Sequence, residues 1–183
     1  SEEYQILNVF NERDADFPEN KTIIDLFEEQ VKKTPDNIAL VFGDQKLTYK
    51  ELSKKSNQTA RYLQSLGVRQ ETLVPICIER GIDMITGILG ILKAGGVYIP
   101  VDPEYPSDRI DFIIEDTSAS VVVSSKESSS RFTEKGNIEI VELDSDRNKI
   151  KKLPFGKIKT DIKPHNLAYV IYTSGSTGIP KGV

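Results

Sequence analysis

Within the ten residues 173–182, TSGSTGIPKG, hydroxyls, glycines and one cation are crowded together. Thr173, Ser174, Ser176 and Thr177 carry hydroxyls, Gly175, Gly178 and Gly182 carry no side chain, and Lys181 carries a positive charge. Glycines let backbone N–H groups turn toward a ligand and approach it closely. Successive N–H groups in such a turn form an anion-binding concavity. Hydroxyls add neutral donors and the lysine adds a point charge, so the set suits a polyphosphate. The spacing excludes the Walker A loop, which needs G-x-x-x-x-G-K-[ST]. Counted from Gly175, its second glycine position holds Pro180, and Gly182 follows Lys181 where a Ser or Thr would ligate Mg²⁺. The dinucleotide pattern G-x-G-x-x-G is also missing. A flexible Gly/Ser linker is the alternative reading, but a linker does not ordinarily follow an apolar strand or end in Pro180-Lys181.

The element that must position this loop is the run before it. Residues 167–172, LAYVIY, are apolar and rich in β-branched and aromatic types, which predicts a buried strand. Further strands are expected over 38–42, 46–48, 73–78, 97–101, 120–124 and 138–143, the first two as a hairpin around Gly43-Asp44. Thr22 is a helix N-cap with Asp25 in the first turn, opening a helix to 33 with Ile24, Phe27 and Val31 as its apolar stripe. Thr48 and Glu51 form a capping box for a helix to 66 that faces Leu52, Ala60, Leu63 and Leu66 inward, with Gly67 just past its end. A helix over 83–92 presents Ile85, Leu89 and Leu92, and one over 106–115 presents Ile110, Ile113 and Ile114. Strand–helix–strand alternation over 73–124 argues parallel βαβ units, hence an α/β fold with a mostly parallel sheet.

Other stretches are less regular. Residues 2–11 suggest a short helix with Ile6, Leu7 and Phe10 on one side, and 11–20 a polar linker broken at Pro18. Residues 124–130 are a serine-rich surface loop. Residues 149–163 hold six lysines among Pro154 and Gly156 and read as a mobile excursion. As a nucleic-acid patch that stretch is poor, because only Phe155 interleaves with the lysines and the net charge of the chain is −4. Asp102 and Arg109 are spaced to pair across the turn at 103–106, or to make an ordinary surface contact.

Composition bounds the rest. The 183 residues are 38% hydrophobic, enough for one ordinary domain core. A single cysteine, Cys77, excludes an internal disulfide and a cysteine-rich zinc site, and its apolar neighbours make it a buried strand thiol. The lone histidine, His165, excludes a His-cluster metal site and reads as a solvated loop side chain. No apolar run approaches the roughly 18 residues of a membrane span, and the N-terminus lacks the basic and apolar regions of a signal peptide. A cytoplasmic location is the expectation. Little follows the loop that would complete a ligand cleft, so the sequence reads as cut from a longer one.

The stretch 167–182, LAYVIYTSGSTGIPKG, resembles the phosphate-binding signature of the adenylate-forming enzymes, which include acyl-CoA synthetases, luciferases and the adenylation domains of non-ribosomal peptide synthetases. Residues 47–52, LTYKEL, and 92–102, LKAGGVYIPVD, resemble the first and second core motifs of the peptide-synthetase adenylation domains. Residues 102–109, DPEYPSDR, and 113–117, IIEDT, are similar to the amino-acid-activating branch, and 7–11 with 22–30 look like the junction after a condensation domain. The resemblance covers nearly the whole chain; only 125–163 match weakly. It implies the N-terminal part of the large subdomain of an adenylation domain over 21–183, preceded by a lead-in over 1–20. It further implies an amino acid substrate, ATP with Mg²⁺ as the second substrate, and an aminoacyl adenylate passed to the phosphopantetheine of a downstream carrier domain. Thr173, Ser174, Gly175, Ser176, Thr177, Gly178 and Lys181 are the implied phosphate contacts. No catalytic residue and no metal ligand is implied within the chain, since the family's catalytic lysine belongs to a later lid and is not Lys181. An acyl or aryl acid ligase of the same superfamily, or a non-catalytic nucleotide-binding module, are the other readings.

Overall fold

The computed structural model describes residues 2–9, 18–132, 138–173 and 180–183. At the N-terminus, α1 (Glu2–Tyr4) runs into π-helical geometry over Gln5–Val9, with Ile6 and Leu7 exposed. The expected regular helix over 2–11 is therefore distorted where it is described, and Phe10 and Asn11 lie outside the described residues. Most of the expected linker over 11–20 lies outside the described residues.

Helix α2 (Ile23–Lys33) starts at a full capping box, since Thr22 Oγ1 accepts from the Asp25 N–H and Asp25 accepts from the Thr22 N–H. A hairpin of β1 (Ile38–Phe42) and β2 (Gln45–Thr48) follows, paired antiparallel as its turn signal predicts. Thr48 then caps α3 (Tyr49–Ser65) by the same reciprocal bonds with Glu51. Those bonds hold the Glu51 carboxyl below its usual range, the Thr48 backbone N–H contributing most.

The centre is a four-stranded parallel sheet in the order β4 (Val97–Pro100), β3 (Leu73–Cys77), β5 (Val121–Ser124), β6 (Glu139–Glu142). Side chains alternate across it with period two. Val74, Ile76, Val121, Val123 and Val141 face one way, into a core with Ala60 and Leu63 of α3 and Ile91 and Ala94 of α4 (Ile82–Ala94). Cys77, Ile99 and Val122 face the other way, into a core with Ile110, Ile113 and Ile114 of α5 (Ser107–Thr117). The α/β expectation holds, as a sheet between helical layers.

The buried face of α4 differs from the expected one. Thr86, Gly87, Gly90, Ile91 and Ala94 go inside together with Leu92, while Ile85 and Leu89 stay half-buried. The helix is pressed between the sheet and α3, so closeness outweighs apolar bulk. A Cβ on Gly90 would sit 2.5 Å from Thr59 Cγ2, and one on Gly87 would sit 2.8 Å from Ile76 Cδ1. Gly95 ends the helix at φ +99°, a left-handed position that glycine occupies without penalty.

Residues 149–163 are held rather than mobile. Beyond α6 (Arg147–Ile150) the chain is strapped along α3. Asn57 Nδ2 donates to the Phe155 carbonyl at 2.9 Å, and Gln58 Nε2 donates to the carbonyls of Lys151 and Leu153, both at 2.8 Å. Ile150 and Ile158 are buried beneath the strap. Polar residues on α3 thus replace the ladder that an irregular segment lacks. The serine-rich stretch is likewise no simple surface loop: Ser124, Ser128 and Ser129 are buried.

Candidate functional site

The strand leading to the loop is fastened at its start by Asn166. Its Oδ1 accepts from the Lys163 N–H at 2.8 Å and from Gln70 Nε2 at 2.9 Å, and its Nδ2 donates to Glu71 at 2.8 Å. The chain then runs parallel to β4: the Tyr98 N–H donates to the Ala168 carbonyl and the Val170 N–H to the Tyr98 carbonyl, each at 3.1 Å. The expected buried strand over 167–172 is therefore an edge position with one covered face. Ala168, Val170 and Tyr172 turn inward, whereas Leu167, Tyr169 and Ile171 are 54%, 49% and 45% exposed. An apolar run is equally compatible with burial on one face or two, and only the neighbours decide.

A short hairpin closes the two ends of the loop on each other. β7 (Tyr172–Thr173) pairs antiparallel with β8 (Lys181–Gly182), setting Thr173 opposite Lys181. Ile171 and Val183 exchange both backbone hydrogen bonds beyond them, at 2.9 and 3.0 Å. Directly opposed residues share a face of the ladder, so the Thr173 hydroxyl and the Lys181 ammonium lie on the same side. Both are exposed to solvent. Gly182 is tight against the hairpin, where a Cβ would come 2.8 Å from Val170 Cγ1. Ser174, Gly175, Ser176, Thr177 and Gly178 lie outside the described residues.

Helix α5 supports this hairpin from inside. The Tyr172 hydroxyl donates to Asp116 Oδ2, and its ring meets Phe112 edge-on with centroids 6.3 Å apart. Burial pushes the Tyr172 hydroxyl pKa up, and the Asp116 carboxylate adds to the shift. Arg109 Nη2 donates to the Tyr172 carbonyl at 3.4 Å, with its guanidinium 4.1 Å from the Tyr105 ring centre. The spacing-based pairing of Arg109 with Asp102 is not formed; Asp102 Oδ1 instead accepts from the Glu104 N–H at 2.9 Å, capping its own turn. Asp116 and Asn166 escaped the sequence reading, because nothing local marks a carboxylate that meets a tyrosine 56 positions later.

Beside Tyr172, at the C-terminal ends of β3 and β4, lies a cleft of about 790 Å³ whose charged lining includes Glu79, Arg80, Asp102 and Arg131. Ligand crevices of open α/β sheets lie at this end of the strands. The Ser128 hydroxyl, donating at 2.5 Å, does most to hold the Glu79 carboxyl below its usual range. Cys77 beneath is fully buried, and burial pushes its thiol up to about 12, so it is no nucleophile at neutral pH. Among the described residues no group of His, Cys, Asp and Glu side chains is arranged to hold a metal ion. No helix among them is long and apolar enough to cross a membrane.

The family model of AMP-binding enzymes matches residues 27–183. This chain belongs to the AMP-binding enzyme family. Its curated relatives include bacitracin synthase 1 of Bacillus licheniformis, 46% identical over 186 residues. That match takes in 100% of this chain and 3% of the synthase. Gramicidin S synthase 2 of Brevibacillus brevis is 45% identical, over 100% of this chain and 4% of that protein. Among solved structures the AMP-binding chain superposes on the non-ribosomal peptide synthetase FmoA3 with a TM-score of 0.84 at 29% identity, covering 97% of this chain and 18% of that one. The N-terminal subdomain of Klebsiella oxytoca NpsA gives 0.75 at 27% identity, covering 89% and 40%. The expected kinship with peptide-synthetase adenylation domains is met, and the AMP-binding chain spans a small fraction of those relatives' length.

Proposed function

We propose that this chain is the phosphate-loop-bearing part of an amino-acid-activating adenylation domain. In the proposed reaction the amino acid carboxylate attacks the α-phosphorus of ATP, pyrophosphate leaves, and an aminoacyl adenylate forms. The adenylate then passes to the phosphopantetheine thiol of a carrier domain. The observation that carries this reading is the clamped hairpin, which sets Thr173 and Lys181 on one face at the two ends of the glycine- and hydroxyl-rich segment. Chemistry at ATP phosphates depends mostly on positioning and charge stabilisation. Thr173, Ser174, Ser176 and Thr177 supply hydroxyls, Gly175 and Gly178 let backbone N–H groups approach, and Lys181 offsets charge on the β- and γ-phosphates. Mg²⁺ arrives with the nucleotide.

Support comes from one FmoA3 structure in an AMPPNP-bound form and another with α-methyl-L-serine-AMP. The similarity to the bacitracin and gramicidin S synthases extends over the whole chain, whereas the family model begins at residue 27. That favours residues 1–20 as a lead-in from an upstream condensation domain and 21–183 as part of the adenylation domain; a carrier domain downstream and a cytoplasmic location complete the proposal. The test is ATP–pyrophosphate exchange by the full-length protein that carries this chain, against a panel of amino acids. Exchange with one or a few of them is the expected result. Exchange with a fatty or aryl acid alone would reassign the substrate class, and binding of ATP without exchange would leave a nucleotide-binding module.

A further inference from the structure

Resting on the phosphate-contact reading above, we propose that the hydrogen bond from the Tyr172 hydroxyl to Asp116 is a latch that sets the pose of the hairpin carrying Thr173 and Lys181, making Asp116 a positioning residue for ATP. Apart from backbone bonds, the hairpin that carries Thr173 and Lys181 meets the core, among its described residues, through one side chain. Its strands are two residues each and form a two-stranded sheet of their own, separate from the central one. So small a pair is marginal unless it packs against something. Of the described residues 171–173 and 180–183, Tyr172 alone is buried. Its ring is the hairpin's anchor in the core, and its hydroxyl ties that anchor to α5. Arg109 of the same helix reaches the Tyr172 carbonyl, so α5 grips the residue from side chain and backbone alike.

Asp116 is misplaced for the helix that bears it. It stands in the last turn of α5, which carries no basic residue. A carboxylate there opposes the helix dipole. A side chain that its own element disfavours points to a task elsewhere. The residue is also solvent-exposed, so its removal leaves no hole in the core. Packing and latch can thus be separated: Tyr172→Phe keeps the ring and loses the hydroxyl, Asp116→Ala loses the acceptor, and Asp116→Asn restores a neutral one.

Two measurements decide it. The first is amide hydrogen exchange in the full-length protein, read on peptides covering 170–183. Tyr172→Phe and Asp116→Ala should both quicken exchange there while peptides from α3 and α4 stay unchanged, with Asp116→Asn between them and the natural protein. The second is exchange kinetics. Both variants should raise the KM for MgATP roughly tenfold, the order a single hydrogen bond carries, with the KM for the amino acid and the melting temperature nearly constant. The double variant should be no worse than either single one, because one interaction is lost. Unchanged hydrogen exchange over 170–183 in Tyr172→Phe overturns the latch. So does a loss of activity that follows the melting temperature and raises both KM values, which marks a structural contact only. A natural protein without exchange activity removes the functional reading alone, and the hydrogen-exchange result still decides the latch.

Discussion

Lys181 carries its charge on a side chain open to solvent. Its side chain is exposed on β8, opposite Thr173. Lys181→Ala in the full-length protein is therefore expected to weaken pyrophosphate exchange with the melting temperature unchanged. A charged hydrogen bond to phosphate is about twice as strong as a neutral one, so the loss should exceed that from Thr173→Ala. Unchanged kinetics in a folded Lys181→Ala protein would make the lysine a solvated surface residue. Gly182, one position on, plays the opposite part. Space dictates it, because a methyl group there would strike Val170 across the hairpin.

Among the elements, α2 shows how an amphipathic helix can dock through a buried charge. None of its residues is fully buried, and its apolar stripe is only half covered. What reaches it is Lys93 of α4, 3% exposed, whose ammonium donates to Glu28 at 2.5 Å, Asn57 at 2.8 Å and Ser53 at 3.2 Å. The ring of Phe27 covers the same cation at 4.8 Å. Burial pulls the Lys93 pKa down while Glu28 opposes the shift. Removing the lysine leaves the largely buried Glu28 carboxylate without its cation, at a cost of about 3 kcal/mol. Lys93→Ala should lower the urea midpoint accordingly and free α2, and Lys93→Met, which keeps the volume, should recover part of the loss. Equal stability of Lys93→Ala and the natural chain would mean that α2 docks by its apolar stripe alone.

At the scale of the whole molecule, the sheet has one sealed core on each face but an open edge. Leu167, Tyr169, Ile171 and Val183 are exposed along it. An apolar edge strand is a template for self-association. Expressed by itself, the 183-residue chain is expected to associate, to bind MgATP weakly and to catalyse no exchange. The role proposed for the loop is to hold phosphates, whereas catalysis requires every reacting partner to be held at once. Size-exclusion chromatography, titration calorimetry with MgATP and an exchange assay test the three parts. A monodisperse chain that binds MgATP in the micromolar range would show that the unit is more self-sufficient than its edge suggests.

Local chemistry made much of this readable from residue order. Thr48 with Glu51 announces a capping box because both bonds lie within one helical turn, and Gly43-Asp44 announces a hairpin for the same reason. Strand–helix alternation over 73–124 leads to a parallel sheet because a crossover helix returns the chain in the same direction. The phosphate proposal for 173–182 likewise comes from residue order, since glycines, hydroxyls and a cation stand close together in the sequence. Long-range packing decided the remainder. Gly87 and Gly90, not Ile85 and Leu89, face inward on α4 because α3 and the sheet close on it from two sides. The lysine-rich stretch over 149–163 is tied down by Asn57 and Gln58, which lie more than ninety positions away. Tyr172 finds Asp116 across the molecule. Hydrogen-bonding partners brought together by the fold leave no periodic trace in either segment, so their meeting is decided only when the layers pack.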